Sequence, residues 1–183
     1  MRLFTALDPS PEVYENLERL LSQLRSVARI RWSRPENLHL TVKFIGEWPE
    51  DKLPALGDAL RKVPEPPPFD VQVSRLGFFP NAKAPRVFWA GVNGGPELDE
   101  LANQVDKALT PLGIAPEQRS YSPHLTLARI PVRTPMEGLH RAIQALASGD
   151  FGRFMPDRLY LYESRPGPGG SLYSKMKEFP WNR

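Results

Sequence analysis

Residues 37–46, NLHLTVKFIG, and residues 122–131, SPHLTLARIP, carry the same tripeptide, His-Leu-Thr, in the same kind of setting. Each run alternates polar and apolar positions through its His-Leu-Thr, which predicts a strand. In a strand, residues i and i+2 share a face. His39 and Thr41 therefore point one way, and Leu40, Val42 and Phe44 the other. His124 and Thr126 likewise oppose Leu125 and Leu127. The apolar sides are expected to pack on helices and the His/Thr sides to face a polar space. Strict alternation also places Lys43 on the His39 face, where it reads as electrostatic help or as an edge lysine. It sends Arg129 to the apolar face unless a bulge or the strand end swings it round.

Outward from these two stretches, the chain reads as strand, helix, strand, helix, strand, twice over. Residues 2–7 form a strand. Ser10 as N-cap and Pro11 at the first helical position open an amphipathic helix over 11–28. The first motif strand spans 38–45, followed by a helix over 51–63, a stiff EPPPF connector and strands over 69–79 and 86–93. A helix over 97–112 closes at Gly113 and leads to the second motif strand, 121–130. Met136, Leu139, Ile143 and Leu146 mark a fourth helix, and 157–164 with 171–179 form a hairpin around RPGPGG. An echo at this distance fits a duplicated half-domain better than a solenoid. If the halves meet about a pseudo-two-fold axis, both polar faces line one groove. The expected fold is α+β, with two βαβαβ-like halves, two antiparallel sheets flanked by helices and a central cleft. The chain, 1–183, is one domain of two lobes.

The composition excludes several chemistries. Among 183 residues there is no cysteine, which removes disulfides, thiolate nucleophiles and cysteine-held metal clusters. With 40% hydrophobic and 25% charged residues the chain is an ordinary globular one. No apolar run reaches the ~20 residues of a membrane span, and the N-terminus lacks signal-peptide features. A cytoplasmic, monomeric protein is expected. The net charge is only +3, and no polybasic tail points to tight non-specific DNA binding. The 21 prolines fall mostly between periodic segments and punctuate loops.

Of three histidines, two open the matching motifs. A lone strand histidine is usually structural, but a matched pair is a different matter. Near neutrality one imidazole can be neutral and the other protonated, supplying general base and general acid together. Two threonine hydroxyls can hold the oxygens on which charge builds. The set suits metal-free attack at a phosphate diester. His140, beside Arg141 and without a motif, reads as a helix-surface residue. Phe4, Trp32, Phe78, Phe79 and Tyr121 are candidate platforms for a base, though core or loop packing is the commoner use of each. Trp89 reads as core. The glycines of 165–171 could form an anion nest, though a hairpin turn explains them more simply.

His39-Leu40-Thr41-Val42 and His124-Leu125-Thr126-Leu127 resemble the paired His-x-Thr-x motifs of the two-histidine phosphoesterases. The longer strings RPENLHLTVKFIGE (34–47) and SPHLTLARI (122–130), with RLFTAL (2–7) and RVFWAGV (86–92), are similar to the RNA 2′,3′-cyclic phosphodiesterase branch, also called the 2′-5′ RNA ligase family. The resemblance covers residues 2 to about 130 and continues more weakly to the end. It implies a bilobal fold and cofactor-free hydrolysis of a terminal 2′,3′-cyclic phosphate, on RNA or on a nucleoside, to a 2′-phosphate. It further implies His39 and His124 as acid and base, and Thr41 and Thr126 as phosphate holders. His124 is taken as the base and His39 as the acid. Arg129, completing the HLTLAR string, is a candidate phosphate contact. The same pair could also join 2′,3′-cyclic phosphate and 5′-hydroxyl ends into a 2′-5′ link.

Two other classes compete. A nucleotide- or RNA-end-binding module without turnover would keep the cleft and the threonines, but retention of both histidines argues against it. A metallohydrolase would need three or four protein ligands, and no short spacing such as HExxH occurs.

Overall fold

The computed structural model describes every residue, Met1–Arg183. The strands are β1 (Arg2–Leu7), β2 (Arg31–Trp32), β3 (Leu40–Glu47), β4 (Val71–Phe79), β5 (Val87–Asn93), β6 (His124–Arg129), β7 (Asp150–Phe154), β8 (Arg158–Gly167) and β9 (Gly170–Pro180). The helices are α1 (Pro11–Leu24), α2 (Leu53–Arg61), α3 (Gly95–Leu109) and α4 (Glu137–Gln144). No helix is long and apolar enough to cross a membrane.

Local sequence explains the helices. The Ser10 hydroxyl accepts from the Val13 amide at 3.3 Å, and Pro11 opens α1. Val13, Leu17, Leu20, Leu21 and Leu24 then form its buried stripe. In α3 the stripe is Leu98, Leu101, Ala102, Val105 and Leu109, and a further 3₁₀ turn ends at Gly113, whose φ of 86° is left-handed.

Two antiparallel sheets result, β3-β1-β8-β9 and β2-β6-β5-β4-β7. The orders β3-β1-β8-β9 and β6-β5-β4-β7 correspond strand for strand, with β2 added at the edge. The halves are not consecutive segments, however. β4, which follows α2, lies between β5 and β7, whereas β8 returns to pair with β1. A single apolar cluster runs through both sheets, from Leu3, Leu7 and Leu40 to Val73, Phe88 and Leu125. Two short strands escape the sequence pattern. β2 has only two residues, and β7 has five, with Gly152 at φ 106° between the buried Phe151 and Phe154 and a register shift against β4.

One irregularity recurs and matters for the site. Along β1–β3, Ala6 opposes Thr41 and its neighbour Thr5 opposes Lys43, so Val42 has no partner. Along β5–β6, Trp89 opposes Thr126 and Phe88 opposes Ala128, so Leu127 has none. Each motif thus carries a β-bulge at the residue after its threonine. A bulge inserts one residue and reverses the side-chain alternation beyond it. The expectations for Lys43 and Phe44 are therefore corrected. Lys43 turns away from His39 and is only 6% exposed, its Nζ 2.6 Å from Asp106 Oδ1 on α3 and 2.9 Å from the Ala115 carbonyl. Phe44 emerges on the His39 face, 65% exposed. Arg129 swings to the His124 side by the equivalent step.

The Lys43–Asp106 pair yields a stability test. Asp106→Ala strands an ammonium in the interior, and breaking such a pair typically costs about 3–5 kcal/mol. Urea unfolding is expected to show a loss of about 3 kcal/mol for Asp106→Ala and a much smaller one for Lys43→Met/Asp106→Leu together. Equal losses would contradict this reading of the buried pair.

Candidate active site

The two motif strands come from different sheets, and their polar faces meet. A cleft of about 660 Å³ is lined by His39 and Thr41 from one side and by His124 and Thr126 from the other. All four predicted motif side chains are half-buried and face this space. His140 is elsewhere. It lies in α4 with its ring edge against Phe78, 5.2 Å between centroids.

His39 sits just ahead of β3 in an aromatic cage. Phe4 stacks on it at 4.7 Å, Tyr162 lies 5.6 Å away and Tyr173 meets it edge-on at 4.9 Å. Phe4 and Tyr162 also stack on each other at 5.3 Å. The Tyr162 hydroxyl donates to Asp8 Oδ1 at 2.6 Å, and Lys175 Nζ reaches Asp8 Oδ2 at 2.6 Å. Burial in this cage pushes His39 down to about 4 from an ordinary 6.5, while the Asp8 charge and a backbone hydrogen bond to Asn37 pull it partly back. Burial and the bond to Asp8 push the Tyr162 phenol upward, so it stays a donor.

His124 is held differently. Its Nδ1 lies 2.7 Å from the Ser122 carbonyl, two residues back. A carbonyl only accepts, so Nδ1 carries the proton and Nε2 is the free nitrogen. Phe79 meets the ring edge-on at 5.0 Å.

Five arginines line the same cleft: Arg2, Arg31, Arg34, Arg129 and Arg165. Two are engaged, Arg165 with Glu163 at 2.6 Å and Arg34 with the Pro168 carbonyl at 2.6 Å. Arg31 and Arg129 face each other directly in the β2–β6 pairing. Like charges in that relation repel, and an anion between them would relieve the repulsion. The β8–β9 turn overhangs the cleft through Gly167, Gly169 and Gly170, steadied by the Asn37 amide donating to Ser171 O at 2.8 Å. No group of three or more His, Cys, Asp or Glu side chains converges as a metal site requires.

Of the candidate platforms, Phe4 is spent beneath His39, Phe78 stacks on Phe88 and Phe79 abuts His124. Trp32 remains in the cleft wall. Tyr121 lines a second groove of about 470 Å³ that shares Thr41, Phe44 and His124 with the first. Phe44 and Tyr173 are aromatic faces of the cleft that sequence reasoning missed. Phe44 was hidden by the bulge. Tyr173 lies on the hairpin's second strand, with nothing in its neighbours to single it out.

The family model described as LigT like Phosphoesterase matches residues 7–89 and 92–173, two successive stretches that cover most of the chain. A relative from Archaeoglobus fulgidus called RNA 2′,3′-cyclic phosphodiesterase is 33% identical over 179 residues, covering 98% of this chain and 99% of its own. One of the same name from Methanocaldococcus jannaschii is 33% identical, covering 98% and 100%. Among solved structures, a Thermus thermophilus protein superimposes with TM-score 0.77 at 28% identity, over 98% of this chain and 97% of its own. Escherichia coli LigT in apo form does so with TM-score 0.74 at 25% identity, over 100% and 98%.

The cage around His39 sets a pH dependence of stability. The folded value of about 4 lies below the unfolded 6.5, so on acidification the unfolded chain takes up this proton first. The contribution is intact above about pH 6.5 and is lost as pH falls toward about 4, by at most about 3 kcal/mol. His39→Phe, which keeps an aromatic ring in the cage, is expected to flatten that part of the stability curve in urea melts at stepped pH. Parallel wild-type and variant curves would contradict it.

Proposed function

The chain belongs to the LigT-like phosphoesterase family, and from that premise we propose that it is an RNA 2′,3′-cyclic phosphodiesterase, its two lobes acting as one catalytic unit. The observation that carries the reading is the convergence of His39, Thr41, His124 and Thr126 on one cleft. In the proposed reaction, water lies near the phosphorus of a terminal cyclic phosphate. His124 Nε2 takes a proton from it as the oxygen attacks, the bond from phosphorus to O3′ breaks, and His39 delivers a proton to O3′. The products are a 2′-phosphomonoester and a free 3′-hydroxyl. The two threonine hydroxyls and Arg129 bear on the non-bridging oxygens, where negative charge accumulates. With a 5′-hydroxyl in place of water as the nucleophile, the same proton transfers break the bond to O3′ and form a 2′-5′ link; run backwards, that step cleaves the link to a cyclic phosphate and a 5′-hydroxyl.

The assignment of base and acid follows from the surroundings of each ring. The Ser122 carbonyl fixes the His124 tautomer and leaves Nε2 with a lone pair, as a base requires. His39 is neutral in the free protein, yet the Asp8 charge and the Asn37 backbone both favour its imidazolium. The anionic phosphate adds to that pull and loads the acid when substrate arrives. RNA ends suit the rest of the cleft. Arg31 and Arg129 offer an unneutralised pair for phosphate oxygens, and Phe44 and Tyr173 offer faces on which a base stacks, typically worth ~1–3 kcal/mol each.

Incubation with a nucleoside or RNA 2′,3′-cyclic phosphate in EDTA is expected to yield the 2′-phosphate. His39→Ala and His124→Ala should each lower kcat by ~10²–10⁴, and His140→Ala should leave it unchanged. Substrate bound without turnover by the wild type would overturn the reading in favour of a binding module.

A pH profile tests the division of labour. Asp8→Asn removes a charge that favours the His39 imidazolium, so the alkaline limb of kcat, where the acid loses its proton, should move to lower pH. Both limbs unmoved would contradict a pull of Asp8 on the His39 proton during turnover.

A further inference from the structure

The carbonyl of each motif threonine is held by a hydroxyl from the segment that leads into the other motif. The Tyr121 hydroxyl, shortly before His124, donates to Thr41 O at 2.8 Å. The Ser33 hydroxyl, shortly before His39, donates to Thr126 O at 2.8 Å. We propose that Tyr121 and Ser33 are positioning residues, a reciprocal pair of straps that sets the gap between the two His-x-Thr motifs and hence the seat of the reacting phosphate.

The bulges explain why such straps are needed. A bulge interrupts the ladder and leaves backbone groups unmatched. β3 is an edge strand, so the Thr41 carbonyl has no strand beyond it to pair with, and Tyr121 fills that role. On β6 the neighbouring strand β2 ends at Trp32, and Ser33 continues its work with two bonds. Its amide donates to the bulged Leu127 carbonyl at 2.8 Å while its hydroxyl takes Thr126. Both carbonyls belong to, or directly precede, the residue whose insertion turns the strand.

The straps also bear on the histidines. Tyr121 is followed by Ser122, whose carbonyl holds His124 Nδ1 at 2.7 Å. One dipeptide therefore grips Thr41 of one sheet and the imidazole of the other. The loop carrying it is pinned a second time from β3, because Lys43 bonds Asp106 and the Ala115 carbonyl, and Asp106 in turn accepts the Glu117 amide at 3.1 Å. Burial pushes the Tyr121 phenol upward, so its proton stays available to the strap. A displacement of about 1 Å in such a site can cost ~10²-fold in rate, although neither hydroxyl needs to touch substrate.

The inference rests on the hydrolytic reading above, and the test separates the two. Cyclic phosphate hydrolysis by Tyr121→Phe, Ser33→Ala and their combination is measured well below each protein's Tm. Thr134→Val, which deletes a hydroxyl-to-carbonyl bond outside the cleft, serves as control. Each strap variant is expected to lower kcat by about tenfold with KM changed less than about threefold, because oriented threonines matter most where charge builds. The double variant should lose more than either, Ser33→Thr should restore activity, and the control should match wild type. A wild type without hydrolysis would sink the functional reading itself. With an active wild type, strap variants within about twofold in kcat, losses confined to KM, or losses that vanish on cooling in step with Tm would overturn the straps.

Discussion

One additional residue in each of two strands organises this molecule. Without the bulges at Val42 and Leu127, strict alternation would put a buried-pair lysine into the cleft, turn Phe44 into the core and bury Arg129 among apolar side chains. With them, each strand presents His and Thr before the bulge and a cleft-facing side chain, Phe44 or Arg129, after it. The lysine is freed to bind α3, which ties the first motif to the helix and loop ahead of the second. A local defect in hydrogen bonding thus becomes the device that points chemistry one way and structural polarity the other.

The two imidazoles are equivalent by position and unlike in setting. His39 is packed face to face with aromatic rings and loses its charge to burial. His124 has a ring edge against it and a carbonyl on Nδ1. The proposed acid and base need different pulls on their protons, and a duplicated motif alone would give the two rings the same. The asymmetry comes from what surrounds each copy, Phe4, Tyr162 and Asp8 on one side and Phe79 and Ser122 on the other. Strand exchange contributes to it, since β8 brings Tyr162 to the first sheet from far along the chain.

Much of this was legible beforehand because it depends on period and repetition. Helical spacing gave the four helices to within a few residues, and the repeated His-Leu-Thr pointed to the two strands whose polar faces meet in one cleft. The remainder lay in relations between distant residues. Nothing near Lys43 announces a bulge, because the missing partner belongs to β1. β2 is two residues long and exists only because β6 lies beside it. Nor does the chain order reveal that β4 and β8 exchange sheets. Tyr121 illustrates the limit well. Composition could offer it as a platform for a base, but only the fold shows its hydroxyl committed to Thr41.

Two histidines gripping one phosphorus from opposite walls is the claim on which the rest stands, and a crystal structure of the protein with a nucleoside 2′-phosphate tests it most directly. The phosphate should lie between the lobes, its oxygens within about 3 Å of His124 Nε2 and of the His39 ring, with both threonine hydroxyls turned toward it. A phosphate seated on the arginines alone, remote from either imidazole, would contradict the account.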